Sequence, residues 1–116
     1  MRPEASPYRP FSISVERSSD EVAVVVVGEL DLASADQLGQ AVADVRAAGF
    51  PDIALDLRGV DFIDSTGLRM LLTLRNDAQR DARALTLVPA ASGAQRIFDI
   101  TGTRGLFDWR RDRPQP

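Results

Sequence analysis

In the stretch VDFIDSTGLRMLL, residues 60–72, an apolar run gives way to Asp64, Ser65, Thr66 and Gly67, and apolar residues then return at helical spacing. Two hydroxyls between a carboxylate and a glycine, where a strand turns into a helix, suit two kinds of chemistry. A side-chain oxygen there accepts hydrogen bonds from the unpaired N–H groups of the first helical turn. A hydroxyl there also suits phosphorylation, because the positive end of a helix tolerates a new anion. Capping requires only one oxygen and contributes about 1 kcal/mol. Gly67, inside the first turn, costs roughly 1 kcal/mol relative to alanine, and capping does not account for it. A small residue there keeps the surface beside Ser65 low, so that another protein reaches the hydroxyl. On spacing alone both readings stand: Asp64 or Ser65 as a cap, and Ser65 as a modified serine.

The helix behind this junction decides whether Ser65 is accessible. With a start near Ser65 and steps of about 100°, Leu68, Leu71, Leu74 and Ala78 share one side and form the core face. Ser65, Arg69, Thr73, Asn76 and Arg80 fall in a polar arc opposite, with Met70 and Leu72 on its margins. Ser65 therefore heads an exposed stripe, one turn before Arg69.

Composition removes most alternatives. The 116 residues fit one domain, and 44% are apolar, enough for a core. The chain has no histidine and no cysteine. Disulfides, Cys/His metal sites and Ser-His-Asp or Cys-His catalysis are thereby excluded. An oxygen-only metal site stays open, although no carboxylate run has EF-hand spacing; no cofactor and no metal ligand are assigned to this chain. A net charge of −3 argues against nucleic acid as a direct partner. The opening MRPEASPYRP has no apolar core of a signal peptide, and the longest apolar run, residues 22–27, is too short to span a membrane. A cytoplasmic protein is expected.

The elements that must position Ser65 follow from the pattern. Residues 1–10, with three prolines, read as a flexible N-terminal tail, and residues 110–116 as a flexible C-terminal one; the domain is 11–109. Phe11, Ile13 and Val15 alternate as in a half-buried strand. SSDE, residues 18–21, is a turn, and VAVVVVG, residues 22–28, is a buried central strand, so that the two form a hairpin. Ser34 and Gln37 have capping-box spacing for a helix over 34–48, with Leu38, Ala41, Val42 and Val45 on its apolar face. Residues 52–57 form a strand, with Gly59 in the turn after it. The helix from 65 to 80, a strand over 84–88, and a third helix opened by Ser92 and Gln95 follow. The segment 106–109 is a final strand or docked piece, with Trp109 sealing the core. This β-β-α-β-α-β-α order predicts an α/β fold: a mostly parallel four- to five-stranded sheet, an antiparallel N-terminal edge hairpin, and three or more helices. In such sheets functional groups gather past the carboxyl ends of strands. GELD (28–31) and DSTGL (64–68) both lie there and are expected to share one rim.

GELD, the helix SADQLGQAVADV, the strand IALDL, VDFIDSTGLRML and the later LTLV and IFDITG together resemble the STAS domain, and more narrowly the bacterial anti-sigma factor antagonists. The likeness runs over about residues 11–108, and DFIDSTGL is its most specific piece. The resemblance implies partner switching. The unmodified antagonist binds an anti-sigma factor that is also a GHKL-type serine kinase, and a sigma factor is released. The kinase, which binds ATP and Mg²⁺, then phosphorylates the antagonist and the complex separates; a PP2C-like phosphatase restores it. By motif position the resemblance makes Ser65 the phosphoacceptor, with Thr66 a secondary one. It places Glu29, Asp31, Asp64 and Gly67 with them on the partner surface, to which the exposed helical arc adds Arg69 and its margin Leu72. The protein itself is then a kinase substrate rather than an enzyme.

Each of these positions has a plainer role open to it. Glu29 and Asp31 are also ordinary loop charges, Arg69 a solvated helix residue, and Met70 and Leu72 core margin. Other functions open to such a domain are an accessory subunit of a lipid or anion transport system and a stressosome-like scaffold. An enzyme is the weakest alternative, because no base–nucleophile set is evident without His, Cys or Lys.

Overall fold

The computed structural model describes residues 9–18 and 21–111. Of the expected tails 1–10 and 110–116, residues 1–8 and 112–116 lie outside the described residues, as does the middle of the expected turn at 19–20. The elements run β1 (Ser12–Arg17), β2 (Val22–Leu30), α1 (Ala35–Ala47), β3 (Ile53–Ile63), α2 (Ser65–Arg80), β4 (Leu85–Val88), α3 (Ser92–Ile100), a 3₁₀ turn (Arg104–Leu106) and β5 (Asp108–Trp109). The sheet order is β1-β2-β3-β4-β5. Only β1 is antiparallel to its neighbour. This is the mixed α/β sheet with an edge hairpin that the alternation of strands and helices predicts.

The core forms where the patterns place apolar faces. Val22, Val24 and Val26 of β2, Ile53, Leu55 and Leu57 of β3, and Leu87 of β4 are almost fully buried. Leu38, Val42 and Val45 of α1 and Leu68, Leu71, Leu74 and Ala78 of α2 complete it. α1 and α2 pack on each other and on the central strands. α3 lies beside β3, with Ala91 N–H donating to the Val60 carbonyl at 3.4 Å and Phe98 fully buried. Phe98 meets Phe107 and Trp109 edge-on, at centroid separations of 5.5 and 4.9 Å. This aromatic cluster fixes the last segment and gives Trp109 the sealing position expected of it.

Three local expectations are corrected. Gly59 is not in a turn: β3 continues through it to Ile63, and the β2–β3 register shifts between Val25 and Val27, opposite this glycine. The glycine accommodates that bulge, where Val27 Cγ2 would lie 2.9 Å from an added Cβ. Ser34 is the N-cap residue of α1, but its side chain makes no capping bond. Ser92 is the first residue of α3 rather than its cap, which is Ala91; Gln95 Oε1 instead accepts from Ala90 N–H at 2.9 Å.

The extra length of β2 and β3 matters for the site. Glu29 pairs with Phe62 and Leu30 with Ile63. The ends of the two strands thus leave the sheet side by side, one into the loop 31–34 and the other straight into α2.

Candidate functional site

The site is built from two adjacent strand ends. Asp64 follows β3 and is the N-cap of α2. Its Oδ1 accepts from Gly67 N–H at 2.8 Å, and its Oδ2 accepts from Leu32 N–H at 3.3 Å. Its own N–H donates to the Leu30 carbonyl at 3.2 Å. One carboxylate therefore caps the helix and ties the loop after β2 to it. The two motifs expected on one rim do meet, and Asp64 is the joint.

Asp64 also settles which residue caps. Ser65 is released from that duty: it is exposed, and among the described residues its hydroxyl makes no hydrogen bond. Below it, Arg69, Thr73, Asn76 and Arg80 are exposed as the helical arc requires. Thr66 is half-buried, which makes it the less accessible hydroxyl of the pair. Leu72 and Met70 are half-buried and pack against the core, so both stand at the core margin.

Gly67 is buried, and its smallness has a cause inside the molecule. An added Cβ would run into the Leu30 carbonyl oxygen and lie 2.9 Å from the Leu30 carbonyl carbon and 3.0 Å from Leu30 Cγ. The first turn of α2 presses directly on the end of β2, and only glycine permits that approach. The contact holds Ser65 close to the GELD loop.

That loop is internally locked. Ser34, 3% exposed, donates from Oγ to the Glu29 carbonyl at 2.7 Å and accepts from Asp31 N–H at 3.0 Å. Asp31 Oδ1 accepts from Ala33 N–H at 3.0 Å, and the Asp31 carbonyl accepts from Ala35 N–H at 2.8 Å at the start of α1. The hydroxyl expected in a capping box thus serves the loop, because nearer backbone groups take it. Glu29 is left exposed and Asp31 half-buried on the same rim.

Two residues that the sequence patterns did not single out complete the rim. Leu32 is 79% exposed and Phe62 47% exposed, both large apolar side chains facing water. Leu32 is bonded through its N–H to Asp64, and Phe62 pairs with Glu29 three positions before Ser65. Their only signal in sequence was position: Leu32 falls past the strand it seems to belong to, and Phe62 lies where β3 outruns its expected end. Phe62 lies on the α3 side, beside Ile97 and Ile100. An exposed hydroxyl on strand ends that also carry two acids and the exposed Leu32 is suited to docking another protein. Among the described residues no cluster of three or more potential ligands could hold a metal ion, and no helix is long and apolar enough to cross a membrane.

Comparison with known proteins agrees with this architecture. A family model described as Mlab, STAS domain, matches residues 13–108. The anti-sigma-B factor antagonist of Staphylococcus epidermidis is 30% identical over 97 residues, covering 84% of this chain and 90% of that protein. The crystal structure of an anti-sigma factor antagonist from Mycobacterium paratuberculosis superposes with a TM-score of 0.77 at 28% identity, covering 89% of this chain and 87% of that one. The Bacillus cell fate determinant SpoIIAA, solved in its phosphorylated form, shares the fold, with a TM-score of 0.64 at 18% identity over 85% of this chain and 91% of that one. With its sheet order, its Asp64-capped second helix and these relatives, the chain belongs to the STAS-domain family of anti-sigma factor antagonists.

Proposed function

We propose that this protein is a regulatory binding module that docks on an anti-sigma factor through the rim around Ser65 and is switched off by phosphorylation of that serine. The observation that carries this reading is the exposed, unbonded hydroxyl of Ser65 at the first turn of α2, with capping delegated to Asp64. The hydroxyl is thus available to a kinase, and the fold does not depend on it. The names of the relatives support an anti-sigma factor as the partner.

In this reading the anti-sigma factor is also the serine kinase, of the GHKL type, and supplies ATP, Mg²⁺ and the catalytic base. The antagonist is its substrate and needs no cofactor. A PP2C-like phosphatase reverses the step, and the cycle runs in the cytoplasm. Phosphorylation adds about −1.5 to −2 charges at pH 7. It does so beside Asp64 and on the rim that carries Glu29 and Asp31. The helix start and Arg69 accommodate the phosphate within the free protein. A partner packed directly over Ser65 meets new bulk and a strongly hydrated dianion that docking would have to strip of water. Loss of about 3 kcal/mol of binding free energy is already more than a hundredfold in affinity, so the switch requires no refolding.

Incubation with the cognate anti-sigma kinase and ATP tests this. The expected result is one phosphate, on Ser65. Ser65→Ala should abolish labelling and keep binding, whereas Ser65→Asp should weaken binding. Full labelling of Ser65→Ala would overturn the site assignment. Capture of a transporter ATPase in place of an anti-sigma factor would overturn the partner.

A further inference from the structure

We propose that Arg9 is a built-in competitor for the acidic rim: its guanidinium holds the place of a cation on the anti-sigma factor, which must displace it to dock. The inference rests on the reading of this rim as the partner surface and adds a means of setting its affinity.

The backbone makes the contact possible. Gly28 has φ +101°, and a Cβ there would lie 2.9 Å from Phe11 Cα and 3.0 Å from both the Arg9 carbonyl and Phe11 N. Only glycine tolerates both that backbone angle and that approach. The segment 9–11 therefore lies directly on the end of β2. From there the Arg9 guanidinium reaches the Asp61 carboxylate on β3, at 3.9 Å. The β2–β3 register runs from Gly28↔Val60 to Glu29↔Phe62, so Asp61 is the extra residue of a bulge, the kind of feature that re-aims a side chain.

Arg9 also forms one wall of a recess of about 180 Å³ that includes Glu29, Asp31, Ser34 and Gln37. Among the described residues it is the only cation lining that recess. Three carboxylates, Glu29, Asp31 and Asp61, thus share the strand ends with one arginine brought there by the chain's own N-terminal segment. The Arg9 and Asp61 side chains are 50% and 38% exposed. Exposed pairs of this kind are weak and screened by salt. A competitor must have that property, because it holds a site without closing it.

The test is calorimetric titration of the cognate anti-sigma factor into wild type, Arg9→Ala, Arg9→Glu and Arg83→Ala. Arg83 is an exposed arginine at the opposite end of the sheet, just before β4; its loss changes net charge as much as Arg9→Ala does. Arg9→Ala is expected to bind about two- to fivefold tighter, the range open to an exposed ion pair. Arg9→Glu should bind at least as tightly as Arg9→Ala, and the gain of both should fade as salt is raised. Arg83→Ala should show less than half the gain. Equal or weaker binding by Arg9→Ala overturns the proposal, because Arg9 is then inert or a partner contact. An equal gain from Arg83→Ala overturns it too, by reducing the effect to net charge. Failure of the wild type to bind at all refutes the assigned function itself, a result distinct from either.

Discussion

Replacing Gly67 by alanine is the sharpest probe of how the site is assembled. In an ordinary helix the change is stabilising by about 1 kcal/mol. Here the new methyl would lie 2.9 Å from the Leu30 carbonyl carbon and 3.0 Å from Leu30 Cγ, and still closer to the carbonyl oxygen. The main obstacle is backbone in a β2–β3 pair, which does not yield as a flexible side chain does. Overpacking of this kind costs about 1–3 kcal/mol. If α2 backs away, the Asp64–Gly67 cap is lost as well, at about 1 kcal/mol. Set against the propensity gain, the net destabilisation is about 1–3 kcal/mol, which lowers Tm by roughly 5–20 °C in a domain of this size. Thermal and urea unfolding followed by circular dichroism measures it. Gly39→Ala is the matched control. There an added Cβ meets only Met70, 3.0 Å from Cε and 3.1 Å from Sδ. A thioether end moves aside, so Gly39→Ala should be neutral or stabilising by about 0.5 kcal/mol. Gly67→Ala unfolding at or above the wild-type temperature would refute the close approach of α2 to β2.

Other predictions bear on the same rim. Ser34→Ala leaves the Glu29 carbonyl and Asp31 N–H without their partner and should destabilise by about 1–3 kcal/mol in denaturant titrations. Asp64→Ala removes both the cap and the tie to Leu32, at a cost of about 1–2 kcal/mol, whereas Asp64→Asn keeps an oxygen for Gly67 and should recover at least half of the loss. Leu32→Ser should leave the unfolding temperature within about 2 °C of wild type, because the side chain is 79% exposed. Its binding to the anti-sigma factor should weaken about five- to thirtyfold by titration calorimetry, as for an apolar anchor at an interface.

What could be read from the sequence and what could not divide along a physical line. α2 was legible from Ser65 to Arg80 because its apolar residues recur at the helical period and its first turn carries a cap. Every residue assigned to its core face is buried, and every residue assigned to its polar arc is exposed. The shared rim followed from strand order alone. The length of β3 was hidden, because Arg58 and Gly59 imitate a turn. Its final residues are held by pairing with Glu29 and Leu30, a long-range contact that no local signal encodes. Ser34 departs from its sequence pattern for a related reason. Its spacing to Gln37 fits a capping box, but the hydroxyl had closer acceptors in the loop it belongs to. The need for glycine at 67 is legible as an oddity in the first turn of a helix, but its cause is not, since the obstruction is Leu30, distant in sequence. Leu32 and Phe62 escaped because exposure of an apolar side chain depends on what the fold leaves uncovered.

Under the proposed function, a phosphate on one exposed hydroxyl decides whether the anti-sigma factor stays bound. The most direct measurement of this is a comparison of two dissociation constants at one ionic strength. The first is for the unmodified protein, the second for protein phosphorylated to completion on Ser65, each titrated with the same anti-sigma factor. A loss of affinity of a hundredfold or more, with an unchanged circular dichroism spectrum, is the predicted result. Equal affinity of the two forms would contradict the account, however cleanly Ser65 had been modified.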